Sequence, residues 1–168
     1  MAVISRNATL LAAGLLVALS GASFAAETST VKVSLWDKGP DSATPDDAHP
    51  MGMGSVGANM AMAMLGVKAD VKTVHAGTVT FKVTNASKDI IHEMILSPVA
   101  ADGAALPYSS ADYKVIEDAA GHLGEVSEMD PGKTGTLTID LKPGKYILYC
   151  NIPAHFMNGM WTEITVTP

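Results

Sequence analysis

The alternation of hydrophobic and polar residues along the chain predicts short β-strands and no long amphipathic helix. The alternating stretches are residues 31–35, 78–84 and 135–141, and residues 145–150 and 161–167 and an apolar run at 90–96 predict further strands. Turn-forming residues separate these stretches, as in the Pro143-Gly144 pair that precedes residues 145–150. Short strands joined by turns favour one all-β domain, a Greek-key β-sandwich or barrel.

Three stretches lack a strand pattern. Residues 38–50 contain three prolines and predict a loop. Residues 51–65 are rich in Met, Gly and Ala without a clear period, and we expect a separable loop or a short helix. Residues 100–120 predict a loop with one helical turn. We therefore divide the chain into an N-terminal strand with a Pro/Met-rich loop segment (26–70) and a core (71–168).

Residues 1–25 have the order of a secretory signal peptide. Arg6 provides a positive charge, residues 10–19 form an apolar run, and small residues follow. The apolar run is shorter than the roughly 20 residues that a membrane-spanning helix needs. We predict cleavage after Ala25 or Ala26, which would give an exported or periplasmic protein with no membrane span.

Composition narrows the classes of function. The chain carries 11 basic and 17 acidic residues, and removal of Arg6 with the signal peptide would leave a net charge of −7. Such an acidic chain is a poor match for nucleic-acid phosphates. Its 48% hydrophobic content argues against disorder. Cys150 is the only cysteine, so an internal disulfide is excluded, and its thiol is either a buried apolar group or a metal ligand.

The residues that follow Cys150 favour the role of its thiol as a metal ligand. Cys150, His155 and Met160 recur at intervals of five, between the last two predicted strands. Thiol, imidazole and thioether are soft or borderline donors, and they suit copper better than magnesium or calcium. Pro153 stiffens the loop, and Gly159 permits a sharp approach to Met160.

The C-x4-H-x4-M spacing resembles the copper-binding loop of the cupredoxins, and within them it is most similar to rusticyanin and the sulfocyanins. In that family another histidine lies on an earlier strand, and His92, 58 residues before Cys150, matches it. The resemblance implies one type 1 copper ion bound by His92, Cys150 and His155, with Met160 as a weak axial ligand. It also implies electron transfer rather than catalysis, because the protein supplies all four donors and leaves no open position.

Some alternatives stay open in the sequence. Met157 competes with Met160 as the axial donor, whereas Met94 shares a strand face with His92 and is expected in the core. His75 and His122 have no donor partners nearby in sequence, so we expect surface or core roles for both.

Glu93 departs from the family pattern, which often has Asn after the first histidine. It either bonds towards Asn151 or points to solvent. We expect the far edge of the His155 ring to approach the surface within an apolar patch and to pass electrons there.

A second group of soft donors precedes the predicted core. Five of the ten methionines lie between residues 51 and 64, and His49 comes just before them; the five are Met51, Met53, Met60, Met62 and Met64. Thioethers suit Cu(I), but methionine is also an adaptable filler of packed regions.

Two functions follow. The first is a periplasmic, monomeric carrier of single electrons that exchanges them with a redox protein such as a cytochrome or oxidase. The alternative is a homeostasis protein that stores or delivers Cu(I) through its Met-rich segment. An enzyme is disfavoured, because the five histidines form no cluster for a second copper site.

Overall fold

The computed structural model describes residues 28–100 and 104–168, so the predicted signal peptide lies outside the described residues. The described residues are mostly strands: β1 (Ser29–Asp37), β2 (Leu65–Ala69), β3 (Thr73–His75), β4 (Gly77–Asn85), β5 (His92–Pro98), β6 (Tyr108–Ser109), β7 (Lys114–Val115), β8 (Gly124–Met129), β9 (Thr134–Leu141), β10 (Gly144–Tyr149) and β11 (Trp161–Thr167). The one α-helix among them, α1, is the single turn Glu117–Ala120. Within the described ranges, none of the helical segments has the length and apolarity to span a membrane.

Two sheets pack face to face as a single β-sandwich domain, as the sequence predicts. One has the strand order β2-β1-β4-β9, and the other has the order β3-β11-β10-β5-β8. The β1–β4 and β3–β11 pairs are parallel, and the remaining pairs are antiparallel. Strands β6 and β7 form a small separate hairpin within residues 104–120.

The main core lies between the sheets and comes from alternate residues of their central strands. Its members include Val31, Val33, Leu35, Val79, Phe81, Val83, Met94, Leu96, Leu148, Ile164 and Val166. A period-two pattern places these side chains on one face of each strand. Burial of this face is the main force that joins the two sheets.

A second apolar cluster covers the outer face of the five-stranded sheet. Ile95, Ile147 and Tyr149 lie on that face, and Met53 and Phe156 pack over them. Strands β5 and β10 are therefore buried on both faces. This explains why their sequences read as continuous apolar runs rather than as clean alternation.

Strands β2, β3 and β8 were not predicted from the sequence. All three lie at sheet edges and are three to six residues long. Edge strands are often short and carry charged residues, as the two glutamates of β8 illustrate, so their hydrophobic signal is weak. The helical turn expected within residues 100–120 is present as α1. The boundary at residue 70 stays a prediction.

Candidate metal centre

Three of the predicted donors meet at one end of the sandwich. His92 is the first residue of β5, Cys150 directly follows β10, and His155 lies in the loop that leads from β10 to β11. His155 Nδ1 is 3.3 Å from His92 Nδ1 and 3.2 Å from Cys150 Sγ. One donor atom from each residue lies within 4.8 Å of the others, and all three residues are buried.

Backbone hydrogen bonds fold the loop of residues 150–160 back on itself. The Cys150 N–H donates to the Met160 carbonyl at 3.1 Å, and the Met160 N–H donates to the His155 carbonyl at 2.9 Å. Gly159 has a φ of +99°, and a Cβ there would lie 3.2 Å from the Ala63 side chain. Glycine therefore satisfies both the backbone conformation and the close approach at this turn.

The two candidate axial methionines have different surroundings. Met160 is fully buried and belongs to the same core cluster as Cys150. Met157 packs with the other cluster, beside Phe156, and its sulfur lies against the backbone of Gly52. The packing thus brings Met160, rather than Met157, into the apolar surroundings of the thiol.

Asp37 fixes the orientation of the first histidine. Its Oδ2 lies 2.9 Å from His92 Nε2, and both side chains are almost fully buried. If this bond keeps the proton on Nε2, then Nδ1 carries a lone pair directed towards His155 and Cys150. Carboxylate–histidine pairs of this kind set the ring orientation and tautomer of metal ligands. Burial alone would raise the pKa of Asp37, but hydrogen bonds from Ser87 and His92 outweigh it and lower that pKa.

Burial favours the neutral form of all three donors. It lowers the pKa of His155 to about 4 and raises the pKa of the Cys150 thiol to about 12. The pKa of His92 is lowered by burial, against the opposing effect of Asp37. Two imidazole nitrogens and one thiol sulfur thus converge in surroundings where burial favours their uncharged forms. A soft cation fits this donor set, because it would share the lone pairs and displace the thiol proton.

Glu93 points inwards and holds the loop of residues 150–160 in place. Its Oε1 accepts a hydrogen bond of 3.0 Å from the Asn151 N–H, and burial raises its pKa. The side chain of Asn151 in turn bonds to both backbone groups of Val115 and to the Glu117 carboxylate. The first of the two sequence alternatives for Glu93 is therefore confirmed, and the loop is tied to β5 and to the 104–120 segment.

Two expectations about the surroundings of this centre were wrong. His155 is only 1% exposed and Phe156 only 2%, so the ring edge does not reach the surface in an apolar patch. The Met-rich segment is not separable, because the Met51 N–H donates to the Met157 carbonyl at 2.6 Å and Trp161 Nε1 donates to the Met51 carbonyl at 2.7 Å. Sequence periodicity revealed neither the burial of His155 nor the hydrogen bonds of Met51, since both depend on how the loops pack.

The other histidines and the methionine considered from the sequence lie outside this group of donors. Met94 is fully buried in the main core, as expected. His75 is exposed and its Nδ1 lies 3.0 Å from the Pro168 carbonyl. His122 is partly exposed, with Nε2 3.6 Å from Glu125 Oε2. Sequence reasoning missed Asp37, whose only signal is its position at the end of a strand.

Comparisons with solved structures support the fold. Rusticyanin from Thiobacillus ferrooxidans has a similar structure, with a TM-score of 0.54 and 17% identity over 85% of this chain and 79% of that one. Auracyanin B gives a TM-score of 0.50 and 21% identity over 86% of this chain and 91% of that one. At these identities the similarity establishes the fold. No protein among the curated ones matches in sequence.

The family comparison is more specific. Residues 54–167 match the family described as copper binding proteins, plastocyanin/azurin family, and this stretch contains all four predicted ligands. The matched residues make up well over half of the chain. The chain therefore belongs to the plastocyanin/azurin family of copper binding proteins, the cupredoxins, and its cofactor is copper.

Proposed function

We propose that this protein is an exported carrier of single electrons with one type 1 copper ion held by His92, Cys150, His155 and Met160. The observation that carries the proposal is the convergence of two imidazole nitrogens and one thiol sulfur, buried and within 4.8 Å of one another. Two histidines, one cysteine and a weak axial methionine are the donor set of blue copper electron-transfer sites.

Each residue has a distinct task in this proposal. His92 offers Nδ1, with its ring held by Asp37 through Nε2. Cys150 loses its thiol proton on metal binding, and His155 offers Nδ1 from the loop. Met160 supplies a thioether from the opposite end of the loop. When bound, copper supplies a one-electron change between Cu(I) and Cu(II).

Burial of the donors favours electron transfer over catalysis. His92 and Cys150 are 0% exposed and His155 is 1% exposed, so a substrate in solution has almost no access to the donor atoms. Electrons, unlike substrates, do not need direct contact between the reacting groups. The hydrogen-bonded loop and the two sheets also hold the donors in one arrangement, which keeps rearrangement during a redox cycle small.

Charge supports a basic redox partner, such as a cytochrome or an oxidase. Without residues 1–25 the chain carries a net charge of −7. A negative protein attracts a basic partner over about a Debye length, roughly 8–10 Å at physiological salt, and added salt weakens this steering. Export, in bacteria to the periplasm, is supported by the charged, apolar and small-residue order of residues 1–25.

Voltammetry and stopped-flow kinetics test the electron-carrier role. The copper-loaded protein should give a reversible one-electron wave and should exchange electrons with a basic cytochrome at a rate that falls as ionic strength rises. An acidic cytochrome of similar potential is the control and should react more slowly at low salt. The absence of a reversible wave would contradict the proposal. Rates that do not respond to salt would remove the charge-steering part alone.

A further inference from the structure

The Met-rich segment contains methionines in two different environments. Met51 and Met53 are 8% and 3% exposed, and they fill space as core side chains do. Met62 and Met64 are 63% and 42% exposed, so much of each thioether side chain faces solvent. The filler role therefore accounts for the first pair and not for the second.

The exposed pair lines a cavity together with a histidine. Met62, Met64, Met51 and His49 all belong to the wall of one open cavity of about 550 Å³. The wall also contains Asp41 and Asp46, and no lysine or arginine is among the described residues that form it. The cavity thus combines soft neutral donors with negative charge.

The His49 ring is already oriented by a carboxylate. Its Nδ1 lies 3.1 Å from Asp46 Oδ2, and its backbone N–H donates to Asp46 Oδ1 at 3.2 Å. Nε2 is then the ring nitrogen available to a ligand. Metal-binding histidines commonly hold their second ring nitrogen in this way, with a carboxylate as the partner. The same relationship occurs at His92 with Asp37.

We propose that His49, Met62 and Met64 form a second metal site, which binds one Cu(I) ion at this cavity. Thioethers and imidazole are suitable ligands for Cu(I), whereas magnesium and calcium require oxygen ligands. Methionine has three rotatable side-chain bonds, so the Met62 and Met64 sulfurs can change position within the cavity that they line. Asp41 and Asp46 offset the positive charge.

The cavity is joined to the loop that carries three of the type 1 ligands. Asn158, in that loop, lines the cavity and donates through Nδ2 to the Ser42 and Thr44 carbonyls at 3.0 and 2.7 Å. The cavity therefore adjoins that loop and is open to solvent, whereas the type 1 donors are buried. An exposed site of this kind suits reversible receipt and release of Cu(I).

Titration with Cu(I) tests the second site. Reduced protein that already holds one copper would be titrated without oxygen, with Cu(I) presented by a chromophoric chelator. We expect one further equivalent to bind. Met62→Leu, Met64→Leu and His49→Gln should each weaken this binding by about tenfold or more, because each removes a ligand. Met60→Leu is the matched control. Met60 lies in the same short helical turn as Met62 and is 40% exposed, but it does not line the cavity.

X-ray absorption of the added Cu(I) gives an independent readout. Wild-type protein should show sulfur and nitrogen neighbours, and His49→Gln should lose the nitrogen. No further equivalent would overturn the proposal, and so would equal losses in Met60→Leu and Met62→Leu. The visible band of the oxidised first site, recorded on the same samples, separates the two sites. Its absence would contradict the type 1 assignment without deciding the second site.

Discussion

Asp37 and His92 are 55 residues apart in sequence, and Asp37 Oδ2 lies 2.9 Å from His92 Nε2 inside the protein. The carboxylate comes from the end of β1 in one sheet, and the histidine comes from the start of β5 in the other. The contact therefore joins the two layers of the sandwich at the copper centre. It also leaves His92 Nδ1 directed towards Cys150 and His155.

Replacement of Asp37 by Asn should weaken copper binding while the protein stays folded. Loss of a carboxylate behind a metal-binding histidine typically costs about 10–100-fold in affinity. Removal of its negative charge should also raise the reduction potential, since that charge favours Cu(II) over Cu(I). Competition titration and voltammetry measure the two effects. Asp140→Asn removes an exposed carboxylate of β9 and is the control; equal behaviour of the two variants would contradict the positioning role of Asp37.

Met160→Leu should retain copper and raise its reduction potential. The axial sulfur donates weakly to the metal and slightly favours Cu(II), so its removal favours Cu(I). Met157→Leu is the matched control, because Met157 packs against Phe156 in the other apolar cluster. Voltammetry of both variants decides between the two methionines. If the reduction potential shifts in Met157→Leu and not in Met160→Leu, the axial ligand is Met157 rather than Met160.

Much of the sandwich can be predicted because alternation in β1, β4, β9 and β11 directly reflects one buried face. The positions of Cys150, His155 and Met160 can be predicted because they share one short loop with regular spacing. Asp37 could not be predicted, because its contact with His92 depends on how two sheets pack. The burial of His155 was also missed, since side chains from distant segments cover the loop.

Acid should destabilise the metal-free protein through its buried histidines. The pKa of His155 falls from 6.5 in the unfolded chain to about 4 in the folded protein. Between these values the unfolded state binds the additional proton, so the free energy of unfolding decreases as pH falls from 6.5 towards 4. The His155 contribution is about 3 kcal/mol. His92 acts in the same direction, because burial also lowers its pKa.

Urea unfolding across this pH range checks the acid effect. His155→Gln should show a smaller loss of stability between pH 6.5 and 4 than the wild type. His75→Gln replaces an exposed histidine and serves as the control. If His155→Gln loses as much stability as the wild type over this interval, His155 is not a source of the acid sensitivity.

Met53 and Met62 should respond differently to truncation. Met53 is 3% exposed and packs in the cluster that covers the five-stranded sheet, so Met53→Ala should lower the free energy of unfolding by about 2–5 kcal/mol. Met62 is 63% exposed, and Met62→Ala should change it by about 0.5 kcal/mol or less. Urea unfolding of the metal-free variants measures both. Equal effects would contradict the division of the Met-rich segment into buried and exposed parts.

The visible spectrum of the copper-loaded protein tests the central claim most directly. With one Cu(II) per chain, the protein should have an intense visible band that disappears on reduction, because the Cys150 thiolate transfers charge to the metal. Cys150→Ser should lack this band. Cys150 is fully buried, so circular dichroism would first establish that the variant is folded. A folded Cys150→Ser protein that keeps the full band would contradict the type 1 copper site proposed here.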